Sequence, residues 1–78
     1  MDQYIKVLNN VIRNKYSEYK VQTKYKIDFG NIMVGALLIP QDNPFGGVLL
    51  TIDKNLKDIL VDGATAISLI NASTIIKD

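Results

Sequence analysis

The stretch KVQTKYKIDFGNIMVGALLIP, residues 20–40, constrains the fold more than any other part of the chain. Val21, Thr23, Tyr25 and Ile27 alternate with Gln22, Lys24, Lys26 and Asp28, which predicts a strand with one face in water. Asp28-Phe29-Gly30-Asn31 then supplies turn chemistry, with Gly30 free to take a positive φ. Over residues 31–39 the alternation disappears: Ile32, Val34, Ala36 and Leu38 fall on one side and Met33, Leu37 and Ile39 on the other, so neither face can be left in water. Gly35 stands in the middle of that second strand. A glycine there marks a sharp bend or a close backbone approach, as at the corner of a barrel, and the expectation is a bend at the curved centre of a small barrel. Pro40 ends the strand because it cannot donate to a ladder.

The remaining segments fit around this pair. Tyr4, Val7, Leu8, Val11, Ile12, Tyr16 and Tyr19 recur at three and four residues, which predicts an amphipathic helix over about residues 2–17. QDNPFGG, residues 41–47, reads as a loop, residues 48–52 as a third strand and residues 53–63 as a hairpin-like excursion, in which Leu56, Ile59 and Leu60 fit a short helical turn and residues 59–61 equally fit a strand. Residues 64–70 and 74–77 read as two short strands separated by Asn71-Ala72-Ser73; a helix from Ala64 is the alternative, disfavoured by the Thr, Ile and Ser content. The expected fold is therefore mostly β: one domain over residues 1–78, an N-terminal α-helix followed by a small, strongly bent five-stranded barrel.

At 78 residues the chain buries a smaller share of its surface than a larger domain would, and association with other copies is one way to add stability. Histidine and cysteine are absent, which removes the commonest general base, the commonest metal ligand and any disulfide. The chain is read as non-enzymatic and without a cofactor or metal; Asp53, Asp58 and Asp62 fit no calcium-loop spacing. The longest apolar run, Ile32 to Pro40, is too short for a membrane span and the N-terminus carries no signal pattern, so the expectations are no membrane partner and a cytoplasmic location. Net charge is +1, unevenly placed: residues 1–27 hold six Lys and Arg against Asp2 and Glu18, while residues 28–78 hold Lys54, Lys57 and Lys77 against six aspartates.

Several residues resemble the Sm-like family, which includes the Lsm and Hfq proteins. Its first motif is an alternating strand, a turn glycine, a second glycine, an apolar strand and a loop with Asp and Asn. Val21 to Ile27, Gly30, Gly35, Ala36 to Ile39, Asp42 and Asn43 are similar to it. Leu8-Asn9 and Arg13-Asn14-Lys15 resemble the helix of the bacterial branch, and residues 69–76, LINASTII, are similar to the second motif. The chain departs from the pattern in having Asn71-Ala72 where Arg-Gly stands, in lacking the Tyr-Lys-His signature of the bacterial branch, and in a longer loop around Asp42.

The resemblance implies an Sm-like, SH3-like barrel that assembles as a homo-oligomeric ring of about five to seven copies and binds single-stranded U- or A-rich RNA through loops facing the pore. The candidate RNA contacts are Phe45, for stacking, and Asn43, Asn71 and Ser73, for polar contacts to a base. Arg13, Lys15, Lys20 and Lys24 are candidates for a basic rim or face. Each has a plainer reading: Phe45 as a lid on the barrel, the asparagines as turn residues, the cations as solvated charge. The alternative function is an SH3-like barrel serving as an oligomeric structural or protein-interaction module without RNA.

Overall fold

The computed structural model describes residues 2–77. Helix α1 (Asp2–Lys15) is followed by strands β1 (Tyr19–Phe29), β2 (Ile32–Pro40), β3 (Val48–Asp53) and β4 (Asp58–Val61), helix α2 (Gly63–Asn71) and strand β5 (Thr74–Ile75). The strands form one antiparallel sheet in the order β4-β3-β2-β1-β5. The expected mostly-β fold with an N-terminal helix is thus present. β4 and β5 are the two margins, and among the described residues no ladder joins them.

Both faces of the sheet are covered. Leu8 of α1 packs with Val34, Ala36, Leu38, Leu50 and Ile52 on one face, and Leu69 of α2 packs with Tyr25, Ile27 and Leu49 on the other. That is why β2 and the first three residues of β3 are apolar on both sides, and why Leu38, Leu49, Leu50 and Ile52 are completely buried. Thr51 is a polar exception in this centre; its hydroxyl donates to the Ile59 carbonyl at 2.8 Å, and among the described residues no buried side-chain polar atom is left unpaired.

The single wet face expected for β1 is corrected by a bulge. Val21 pairs with Leu38 but Thr23 pairs with Leu37, which leaves Gln22 without a partner and switches the side chains after it to the other face. Tyr19 and Val21 therefore pack on the α1 side, while Tyr25 and Ile27 pack on the α2 side. Further register shifts lie between Lys26 and Phe29 and between Ile32 and Val34, so the irregularities flank Gly35 and do not fall on it. Gly35 serves close approach: a Cβ there would lie 2.8 Å from the Ile27 Cδ1 and 3.2 Å from the Leu50 carbonyl oxygen.

Residues 64–70 are helical, against the strand expectation. Ala66, Leu69 and Ile70 are the residues of α2 that meet the sheet, and their three- and four-residue spacing puts all three on one helical face. A strand would have pointed Leu69 away from the other two. β5 is accordingly shorter than the expected residues 74–77. The excursion over residues 53–63 is a tight hairpin into β4: Asp53 Oδ1 accepts the backbone N–H groups of Asn55 and Lys57, each at 2.9 Å, and Leu56 takes φ +66°.

Candidate functional site

The β2–β3 connection is a turn built by Asn43. Its Oδ1 accepts the Phe45 N–H at 3.2 Å and its carbonyl accepts the Gly46 N–H at 3.0 Å. The turn chemistry of Asn43 is therefore realised, and its side-chain oxygen is engaged within the loop. Phe45 does not fold back as a lid; it is 96% exposed. Beside the loop lies an open groove of about 490 Å³ lined by Lys20, Gln22, Ile39, Pro40, Gln41 and Pro44. Gln22 and Gln41 were not singled out from sequence; Gln22 is the extra residue of the β1 bulge, which alternation cannot reveal.

Asn71 and Ser73 lie elsewhere. β1 starts beside the Asn43–Phe45 loop, where Lys20 pairs with Ile39, and β5 pairs near its other end, where Lys26 faces Thr74. Asn71 and Ser73 immediately precede Thr74, so the four candidate RNA contacts divide between opposite ends of the sheet and do not form one pocket within a subunit. Ser73 is committed locally: its Oγ and its backbone N–H both donate to the Ile70 carbonyl at the end of α2.

The basic candidates are also dispersed. Lys20 pairs with Ile39 and Lys24 with Ala36, neighbouring strand positions of opposite parity, so the two lysines lie on opposite faces of the sheet. A basic face that holds both Lys20 and Lys24 is thereby corrected. Arg13 donates to the Asn10 side chain one turn earlier on α1. Lys15 makes a 3.1 Å ion pair with Asp58 at the start of β4, and its hydrogen bond holds the Asp58 carboxyl below the ordinary aspartate value.

Exposed apolar surface lies at the two opposite margins of the sheet. Ile59 and Leu60 on β4 are 43% and 50% exposed, and Ile75 on β5 is 58% exposed. Met33, Leu37, Ile39, Leu49 and Ile76 are all at least half-covered within the one subunit, so that apart from Ile75 these apolar residues need no second copy to hide them. The two margins are protected against strand pairing by their shortness, four residues in β4 and two in β5, and β4 also by Asp58 at its start. β4 pairs with β3 in unbroken register and has no Lys, Pro or bulge among Asp58–Val61, and Thr74–Ile75 has none either. The stretch of β1 that β5 leaves uncovered is guarded, by the bulge at Gln22 and by Lys20.

Among the described residues no cluster of His, Cys, Asp or Glu could hold a metal ion, and no helix is long and apolar enough to cross a membrane. Asp53, Asp58 and Asp62 serve the β3–β4 turn, the Lys15 ion pair and the N-terminus of α2 respectively. No family model matches the chain, and no curated protein or solved structure does.

Proposed function

We propose that the chain is a non-catalytic, homo-oligomeric assembly module in which the open edge of β4 on one copy pairs with β5 on the next. The observation that carries this reading is the pair of exposed apolar margins, Ile59 and Leu60 on one side and Ile75 on the other. Different surfaces meet in such a contact, so each copy offers one of each and the chain of copies ends only by closing on itself. Closure into a ring of about five to seven copies is what the Sm-like resemblance implies. Native mass spectrometry of the full chain should give one closed species over a range of concentrations; a monomer throughout would overturn the proposal.

A second reading, in which the same ring binds single-stranded U- or A-rich RNA, is favoured by Phe45. An aromatic side chain 96% exposed on an ordered turn is positioned to stack on a base, at about 1–3 kcal/mol per base. Lys20 and the two glutamines of the adjoining groove supply donors for a phosphate or a base edge. Titration with short U-rich and A-rich oligonucleotides tests it: Phe45→Ala should weaken binding by roughly tenfold or more, with a shallow salt dependence because few cations gather there. Full affinity in that variant would remove the loop from any RNA site.

A further inference from the structure

Asp62-Gly63 is the joint between β4 and α2, and both residues are exposed. It is also the one place in the chain where an aspartate or asparagine precedes a glycine. That order matters chemically: the backbone nitrogen after an Asp or Asn can attack its side-chain carbonyl carbon, and a glycine presents no Cβ to obstruct the approach. Elsewhere the fold or the sequence withholds a reactant. Asp53 Oδ1 is held by two backbone N–H groups and Asp58 by Lys15, while Asn43 precedes Pro44, whose nitrogen carries no hydrogen to lose. Asp28, Asp42 and Asn71 precede Phe29, Asn43 and Ala72, which all carry side chains.

At Asp62 the structure leaves both reactants free. The carboxylate makes no capping hydrogen bond to α2, and among the described residues it joins no ion pair. The nitrogen of Gly63 belongs to the first turn, where N–H groups have no partner within the helix. Ring closure turns the joint about the Asp62 Cα–C bond, away from its extended ψ of 174°. Gly63 can follow that turn, because it already sits at φ +64° and nothing lies within 4 Å of where a Cβ would be.

We infer that Asp62 is a modification site, isomerising spontaneously to isoaspartate through a succinimide shared with Gly63. The Gly63 nitrogen bonds to the Asp62 side-chain carboxyl carbon, and one water leaves with a carboxyl oxygen and the amide proton. Water then opens the ring. Attack at the side-chain carbonyl restores aspartate; attack at the main-chain carbonyl breaks the original peptide bond and leaves the chain running through the side-chain carbon. One water is lost and one regained, so the mass is unchanged and no oxidant or reductant takes part. The product has one more backbone carbon between β4 and α2, which shifts the helix against the sheet surface where Ala66, Leu69 and Ile70 pack. Its free carboxylate is the group that isoaspartyl methyltransferases esterify from S-adenosylmethionine. The inference does not depend on how copies associate.

The test ages the full chain for several weeks at body temperature and neutral pH, then cuts it with trypsin, which releases residues 58–77 as one peptide. That peptide should acquire a second chromatographic peak of unchanged mass. Electron-transfer fragmentation should place the isomer at Asp62, and an isoaspartyl methyltransferase with labelled S-adenosylmethionine should label it. The peak should grow about as fast in the folded chain as in urea, because the fold does not restrain the joint. Asp62→Ser, which keeps a capping side chain, should lose the peak. Asp62→Asn should reach the same succinimide faster by releasing ammonia, and its products should be heavier than the starting peptide. Absence of a second peak, an isomer placed at Asp58, or isomerisation confined to the urea-unfolded chain would each overturn the inference.

Discussion

Gly35 shows how little space one position in this sheet leaves. Its neighbours are the Ile27 side chain of β1 and the Leu50 backbone of β3, on the strands that flank β2. The Ile27 methyl can rotate aside; the Leu50 carbonyl is held by its ladder and cannot. Gly35→Val should therefore destabilise the chain by about 1–3 kcal/mol, the range for overpacking, read as a lower urea midpoint at unchanged slope. A midpoint equal to that of the unsubstituted chain would mean that the strands separate freely here. Asp53 is the counterpart on the polar side. It is 8% exposed, and one carboxylate oxygen satisfies two backbone donors of the β3–β4 turn, which lets Leu56 hold its left-handed conformation.

At the scale of elements, the two helices are held by different means. α1 has polar residues on its outer side, Asp2 in its first turn, Arg13 and Lys15 in its last, and Leu8 fully buried against the sheet. It also reaches across to β4 through Lys15 and Asp58, whose hydrogen bond lowers the folded-state pKa of the carboxyl. A lowered carboxyl pKa contributes stability above the unfolded-state value and loses it as pH falls through the folded-state value. The pair is partly in solvent, so its contribution is small, on the order of a few tenths of a kcal/mol. Lys15→Gln should accordingly be slightly less stable than the unsubstituted chain near neutral pH and indistinguishable from it at pH values well below the ordinary aspartate pKa of about 3.9. A difference that persisted into acid would assign the effect of Lys15 to helix packing. α2 has no charged residue in its first or last turn and no N-terminal capping hydrogen bond from Asp62, and its stability comes from the sheet surface under Leu69 together with the Ser73 hydroxyl that caps its C-terminal end.

For the whole molecule, coverage is uneven. Both faces of the sheet are packed under helices, and the remaining exposed large apolar side chains lie on margins and turns, Ile59, Leu60, Ile75, Phe29 and Phe45, and on the outer side of α2, Ile67. Association through the margins links stability to concentration by mass action. The melting temperature should rise with protein concentration, and Ile59→Lys with Leu60→Lys should abolish that rise by placing charge on the β4 edge. Both side chains are already partly in water, so the substituted monomer should fold. Concentration-independent melting of the unsubstituted chain would count against assembly through any surface.

The sequence by itself determined the N-terminal helix, the paired strands around Gly30 and the double-sided burial of β2, because each is written in local periodicity or turn chemistry, while it left residues 53–63 open between a helical turn and a strand. It also marked Asn43 as a turn residue, and the exposed run Ile59-Leu60 was visible between Asp58 and Asp62 without being recognised as an edge. Only the tertiary structure decided the rest. The Gln22 bulge sends Lys20 and Lys24 to opposite faces, and such a bulge is set by registry with β2, which no single strand encodes. The order β4-β3-β2-β1-β5 places Asn43 and Asn71 at opposite ends, a consequence of long-range pairing. Residues 63–71 became helical against their own preference because burying Ala66, Leu69 and Ile70 together on the sheet outweighs the weak propensities of Thr65 and Ile67.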